Sequence, residues 1–259
     1  MNEYTNSADE GGSARDADQR RFSRIALVTG ASRGLGATVA RVLARRGFNL
    51  VLGARGSADL EAVAAELRGL GTTVQTCAGD IAEEDTRRHL IRAATESGGL
   101  DLLVNNASEL GGLSPLTDVG TDRLDRIFRV NVLAPFDLAR LAIPLLRKRR
   151  GLIVNVSSDA AQGAYPGWGV YGASKAALDL LGRTLAAELQ EASIAVVNVD
   201  PGDLRTRMHQ EAFPTDDISD RPLPEVTVPF WEWLLDQDPR SITGERFRAQ
   251  EGEQWAARV

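Results

Sequence analysis

Tyr171 and Lys175 stand four residues apart in a stretch, residues 170–191, whose pattern predicts a helix. Residues i and i+4 share one helix face, so the phenol and the ammonium point the same way. A free tyrosine hydroxyl titrates near ~10 and is a poor acid–base at neutral pH. A neighbouring cation favours the phenolate, which would let Tyr171 give a proton to a carbonyl oxygen or take one from an alcohol. Lysine occurs only twice in the chain, at 148 and 175, in a basic complement otherwise made of arginine. A compact ammonium at 175 suits contact with ribose hydroxyls. Alone, the Y-x-x-x-K spacing describes an ordinary surface pair; its surroundings change the reading.

Ser158 lies thirteen residues before Tyr171, where the apolar run 151–157 ends. A hydroxyl there can hold a substrate oxygen and stabilise charge developing on it. The plainer role for such a serine is a cap or turn hydrogen bond. Asn131 falls on the apolar stripe of Leu124, Ile127 and Phe128, so its amide is buried and needs partners. That makes it structural, functional or both.

Thr29-Gly30-Ala31-Ser32-Arg33-Gly34-Leu35-Gly36 follows a short apolar run and opens a helical pattern. Glycines there allow a tight turn and a close backbone approach to an anion, and the helix N-terminus adds partial positive charge. The order is G-x-x-x-G-x-G rather than G-x-G-x-x-G, and its place between strand and helix points to nucleotide binding. A packed turn that binds nothing is the alternative. About twenty residues on, Gly53-Ala54-Arg55 offers no acid for a ribose 2′-hydroxyl. Arg33 and Arg55 can instead flank a 2′-phosphate, which favours NADP(H) over NAD(H).

The elements that must position these groups alternate. Apolar runs at 25–29, 49–53, 73–77, 100–105, 151–157 and 194–199 predict strands. Helical patterns lie at 35–47, 58–70, 83–97, 121–149 and 170–191, the fourth interrupted by Pro135 and Pro144 and expected to kink there. Such alternation implies an α/β fold, a doubly wound parallel sheet with helices on both faces, in a single domain over residues 23–259. Residues 1–22 are polar and expected to be a disordered tail. Residues 203–240 break the rhythm and read as a substrate lid, and a last short strand is expected at 246–249. In that lid Met208, Phe213, Phe230, Trp231 and Trp233 either line a pocket or pack a helix on the core.

Composition narrows the class. The 259 residues are 43% hydrophobic and 25% charged, as in an ordinary globular chain. No apolar run is long enough for a membrane helix, and no signal-like leader is seen, so a cytoplasmic location is expected. A net charge of −6 argues against a nucleic-acid partner. One cysteine and two distant histidines make a metal site improbable; Cys77 is expected to be buried, and His89 and His209 to lie at the surface. Arg147 to Arg150 read as a solvated basic run at a helix end.

Taken together and in this order, the motifs resemble those of the short-chain dehydrogenase/reductases. The resemblance spans 24–206 and rests on 29–36, Asp80-Ile81, Asn105-Asn106-Ala107, Asn131, Ser158, Tyr171-x-x-x-Lys175 and Pro201-Gly202-x-Leu204-x-Thr206. It implies a Rossmann-like fold and a catalytic tetrad of Asn131, Ser158, Tyr171 and Lys175. Tyr171 would be the acid–base, Ser158 would position the substrate oxygen, Lys175 would hold the ribose and tune Tyr171, and Asn131 would support a water leading from Lys175 to solvent. Gly30, Ser32, Arg33, Gly34, Leu35 and Gly36 would cradle the cofactor phosphates. Asp80 and Ile81 would meet the adenine, Asn106 and Ala107 the adenosine ribose, and Pro201, Gly202, Leu204 and Thr206 the nicotinamide and pyrophosphate.

The implied activity is NADP(H)-dependent reduction of a small carbonyl compound, with homodimers or homotetramers built through the helices around Asn131 and Tyr171. An NAD-dependent alcohol dehydrogenase or a non-catalytic nucleotide-binding protein of the same fold are the alternatives. The chain departs from the family pattern at Ser108, where glycine is usual, and at Asp200, where a carboxylate either faces away or biases the nicotinamide pocket.

Overall fold

A strand that is apolar at every position must be covered on both faces. In the computed structural model, which describes residues 24–252 and Trp255, β1 (Arg24–Thr29) is such a strand, buried from Ile25 onward. The tail expected at 1–22 lies outside the described residues. Around β1 are β2 (Phe48–Ala54), β3 (Val74–Ala78), β4 (Leu102–Asn105), β5 (Leu152–Val156), β6 (Ala195–Asp200) and β7 (Arg246–Arg248). They form one all-parallel sheet in the order β3-β2-β1-β4-β5-β6-β7. This is the doubly wound, Rossmann-like α/β architecture expected, in a single domain.

Alternate residues of β1 feed opposite layers, as the two-residue period of a strand requires. Ala26 and Val28 join α1 (Gly34–Arg45) and α2 (Ser57–Gly69) on one face. Ile25 and Leu27 join α3 (Glu84–Glu96) and α5 (Ala134–Arg149) on the other.

The long helical stretch is interrupted just ahead of Pro135 and runs unbroken through Pro144. α4 (Thr121–Phe128) passes into a π turn over Arg129–Leu133 before α5 begins. Pro135 follows directly, and having no amide it leaves a carbonyl of the turn before it without a helical partner. Pro144 lies within α5 without ending it. The wider turn centres on Asn131, and such turns favour functional places.

A ladder of amides holds the next helix to the sheet. Asn105, Asn155 and Asn198 are in register on β4, β5 and β6. Asn105 Nδ2 donates to Asn155 Oδ1 at 2.9 Å, and Asn155 Nδ2 to Asn198 Oδ1 at 3.1 Å. Asn198 Nδ2 donates to the Asp179 carbonyl at 2.9 Å, on α6 (Gly169–Glu188), the helix of Tyr171 and Lys175.

Beyond β6, α7 (Arg207–Ala212) and α8 (Val228–Asp236) divide the lid aromatics between the two roles foreseen. Phe230 and Trp231 are buried in the core, where Phe230 packs against Trp233, Phe247 and Trp255. Met208 and Phe213 instead face a cavity. His89 is exposed, and Arg147, Lys148 and Arg149 close α5, as read from the sequence, whereas Cys77 is only half-buried because β3 is the edge strand of the sheet.

Candidate active site

The glycine turn is shaped by its neighbours as much as by its own sequence. Gly30 (φ +67°) and Gly34 (φ +53°) occupy left-handed backbone that side chains disfavour. A Cβ on Gly36 would lie 2.3 Å from the Gly30 carbonyl. Thr29 Oγ1 accepts the amides of Asn106 and Ala107, both at 3.0 Å, and Asn106 Nδ2 donates to the Thr29 and Gly30 carbonyls at 2.8 and 3.2 Å. The loop after β4 thus clamps the turn after β1.

The first turn of α1 carries no acidic residue and no capping side chain, so its amides are free to face an anion. This donor set and its glycine cradle fit a pyrophosphate. The cavity they open has a volume near 830 Å³, within the range of ligand sites.

One arm of the cavity runs past Arg33, Arg55, Asp80 and Ile81. Arg33 faces Asp59 at 3.4 Å and Arg55 faces Glu109 at 3.6 Å, so each guanidinium carries a loose acidic tether. Burial opposes the charge of Asp80, but the Ala82 amide and Arg126 outweigh it and hold this carboxyl below its ordinary value.

The other arm holds Tyr171, Ser158 and Lys175. α6 begins as the chain leaves the β5 edge, and the i, i+4 spacing puts both side chains on the cavity side. The Ser108 and Ser158 hydroxyls stand beside the Tyr171 phenol and favour its ionised form. Ser158 Oγ donates to Asp159 Oδ1 at 3.0 Å and accepts the Ala160 amide at 3.2 Å. Lys175 Nζ donates to the Val156 carbonyl at 2.8 Å and lies 5.6 Å from the centre of the Tyr171 ring.

The electrostatics differ from the sequence expectation. Burial pushes Tyr171 up to about 12, against the pull of the Ser108 and Ser158 hydroxyls and with help from the Asp200 and Asp159 charges. Burial pushes Lys175 down to about 8, with Asp179 opposing. Desolvation therefore outweighs the expected lowering of the phenol by an adjacent cation. Tyr171 is held protonated at neutral pH.

Of the residues predicted for the site, every one except Asn131 lines this cavity. Asn131 is fully buried behind it. Its Oδ1 accepts the Ser108 hydroxyl (3.1 Å) and the Glu109 amide (2.8 Å), and its Nδ2 donates to the Glu109 carbonyl (2.9 Å) and Ser174 Oγ (3.0 Å). The side chain is a strut between the β4 loop and α6, all its hydrogen-bonding positions being used.

Asp200 turns its carboxylate to partners in the protein. It lines the cavity, yet its carboxylate accepts the Gly202 amide (3.0 Å) and pairs with Arg246 (3.2 Å).

Four features escaped sequence reading. His209 is no surface residue: its side chain is 11% exposed, it lines the cavity, and its Nε2 is buried without a partner. Leu110, Ala160 and Trp168 join Tyr171, Met208 and Phe213 in one apolar cluster. Tyr165 donates to Asp159 at 2.8 Å beside Ser158. Ser108, noted only as a departure, brings its hydroxyl to the phenol. Of these only Ser108 carried a sequence signal.

This arrangement can seat an anionic nucleotide in one arm and present a buried, proton-bearing phenol in the other. Known proteins resemble the chain over the stretch that builds this cavity. The family model for short chain dehydrogenases covers residues 24–217. The chain is 34% identical over 234 residues to the uncharacterized oxidoreductase YciK of Escherichia coli (strain K12), spanning 88% of this chain and 92% of that protein. It is 38% identical over 215 residues to the L-xylo-3-hexulose reductase of Hypocrea jecorina (strain QM6a), spanning 74% and 70%. A short-chain dehydrogenase of Shigella flexneri 2a strain 301, solved in complex with NADP, superposes with a TM-score of 0.82 at 32% identity, over 90% of this chain and 99% of that one. Because the matched stretch builds the glycine turn and the tyrosine end alike, the chain belongs to the short-chain dehydrogenase/reductase family of oxidoreductases.

Proposed function

We propose that this protein is an NADP(H)-dependent ketoreductase that converts a bulky, largely apolar carbonyl compound to its alcohol. The observation that carries the reading is the protonated Tyr171 phenol, flanked by the Ser108 and Ser158 hydroxyls in the cavity whose far arm ends in the glycine turn. A phenol pushed up to about 12 keeps its proton at neutral pH and has it to give to a substrate oxygen. The bound nicotinamide supplies the hydride.

Tyr171 gives its hydroxyl proton to the substrate oxygen as charge develops there. Ser158 orients that oxygen by hydrogen bonding, turning from Asp159 to do so, while Ser108, whose proton Asn131 Oδ1 holds, steadies the phenol. The Lys175 ammonium, held at the Val156 carbonyl, offsets the phenolate left behind and holds ribose hydroxyls. Trp168, Met208 and Phe213 exclude water and favour an apolar substrate. Arg33 and Arg55 hold the 2′-phosphate, a choice supported by the absence of an acid at the end of β2 and by the NADP in the Shigella flexneri relative.

Apolar side chains exposed on α4 to α6 support association through these helices: Leu124, Leu133, Phe136 and Leu180 are 45%, 54%, 40% and 59% exposed. Light scattering should then give a dimer or tetramer mass, and a monomer at all concentrations would reject it.

The activity is tested by following NADPH consumption over a panel of aryl and alkyl ketones. Turnover that Tyr171→Phe abolishes supports the reading. Turnover that survives it removes Tyr171 as the acid, and no turnover on any member removes the ketoreductase assignment.

A further inference from the structure

Behind the cavity wall a single guanidinium joins the three segments that make the reacting end. Arg246 projects from β7 and is 15% exposed. Its Nη2 donates to the Ser158 carbonyl at 2.8 Å and to Asp200 Oδ2 at 3.2 Å, and its Nε donates to Asp179 Oδ2 at 3.0 Å. Both carboxylates are buried, with side chains 9% and 5% exposed.

Each partner belongs to a segment that carries the chemistry. The Ser158 carbonyl belongs to the serine whose hydroxyl meets Tyr171, and it also accepts the Ala161 amide. Asp200 holds the Gly202 amide through its other oxygen, fixing the turn after β6. Asp179 lies four residues beyond Lys175 and eight beyond Tyr171, on the same face of α6.

Three charges sequestered behind a site do not add stability cheaply, since apolar side chains of like volume often serve as well. What apolar packing cannot do is fix a main-chain carbonyl, a turn and a helix face in one register. A guanidinium can, because its donors form a rigid fork in one plane.

We propose that Arg246 is a positioning residue: bonded at once to the Ser158 carbonyl, Asp200 and Asp179, it sets the catalytic serine and the Pro201-Gly202 turn against the helix of Tyr171 and Lys175. Its catalytic consequence rests on the reading of those groups given above; its structural part does not. Lysine cannot replace it, since one ammonium keeps the charge but loses the planar fork.

Hydrogen–deuterium exchange on the free full-length protein tests the structural part without any turnover. In Arg246→Met and Arg246→Lys, amides over 157–162 and 200–204 should exchange about 10-fold faster or more, with β1 unchanged. Steady-state kinetics on the same variants should show kcat lowered by about 30-fold or more, with KM for the ketone moving less than about threefold. Arg246→Lys keeps the buried charge, so it carries the test if Arg246→Met fails to fold.

Unchanged exchange in both segments would overturn the strap, and so would faster exchange spread evenly through β1. Faster exchange with kcat within threefold of the unaltered protein would overturn the catalytic part. Should the unaltered protein reduce no ketone, the functional reading fails by itself, and exchange still decides the role of Arg246.

Discussion

Gly182 and Asn198 are packed so closely that a methyl group on the glycine would stand 2.3 Å from the asparagine's Oδ1. The same methyl would come 2.8 Å from Asn155 Nδ2. The close approach lets the amide ladder reach the Asp179 carbonyl and draws α6 onto the sheet. Gly182→Ala should therefore lift α6 and cost about 1–3 kcal/mol by overpacking, although alanine is the better helix former. Urea unfolding measures it. A stability equal to or above the unaltered protein would show that the ladder does not set the position of α6.

Removing the phenol hydroxyl removes the proposed acid and little else. Tyr171→Phe should lower kcat by about 10³-fold while NADPH binding, followed by fluorescence, changes less than threefold. Comparable loss of binding would assign Tyr171 to cofactor affinity instead.

Buried Lys175 makes a definite mark on the pH dependence of stability in the cofactor-free protein. Its ammonium titrates at about 8 when folded and at 10.5 when fully solvated, so between these values the unfolded chain binds more protons. Stability should rise with pH across that window, by on the order of 3 kcal/mol if no other group moved. Tyr171 acts oppositely and later: its raised pKa gives stability present below 10 and lost as pH climbs through about 12. Lys175→Met should flatten the rise between pH 8 and 10, measured by denaturant titration at fixed ionic strength. A rise that persists in Lys175→Met would refute the assignment.

The arginine tethers bear on cofactor choice. Arg55→Asp should weaken NADPH about 10- to 100-fold more than NADH, since it replaces a phosphate partner by a like charge. Glu109, held mainly by Arg126 at 2.8 Å, lies 3.6 Å from Arg55, and Glu109→Gln should tighten NADPH only modestly, because so loose a pair contributes little. Equal losses for both cofactors in Arg55→Asp would dismiss the 2′-phosphate site.

Much of the site could be read before the fold was known, and the reason is local. The glycine turn, the missing acid after β2 and the Tyr171–Lys175 spacing each lie within one βα unit or one helix turn. Backbone rules alone convert their order into a shape. The alternation of apolar runs likewise determined the parallel sheet, with strand and helix ends off by one to three residues. Asn131 could be seen to be buried, but its strut between the β4 loop and α6 could not.

The sequence by itself determined which elements form, in what order, and which residues stand at the edge where a nucleotide is held. Only the tertiary structure decided that Arg246 meets Ser158, that Ser108 meets Tyr171, that His209 turns inward, and that desolvation outweighs the nearby cation at the phenol. Those contacts join residues tens of positions apart, and a local period carries no record of them. The last needs the whole molecule, because a pKa set by burial depends on every side chain that keeps water out.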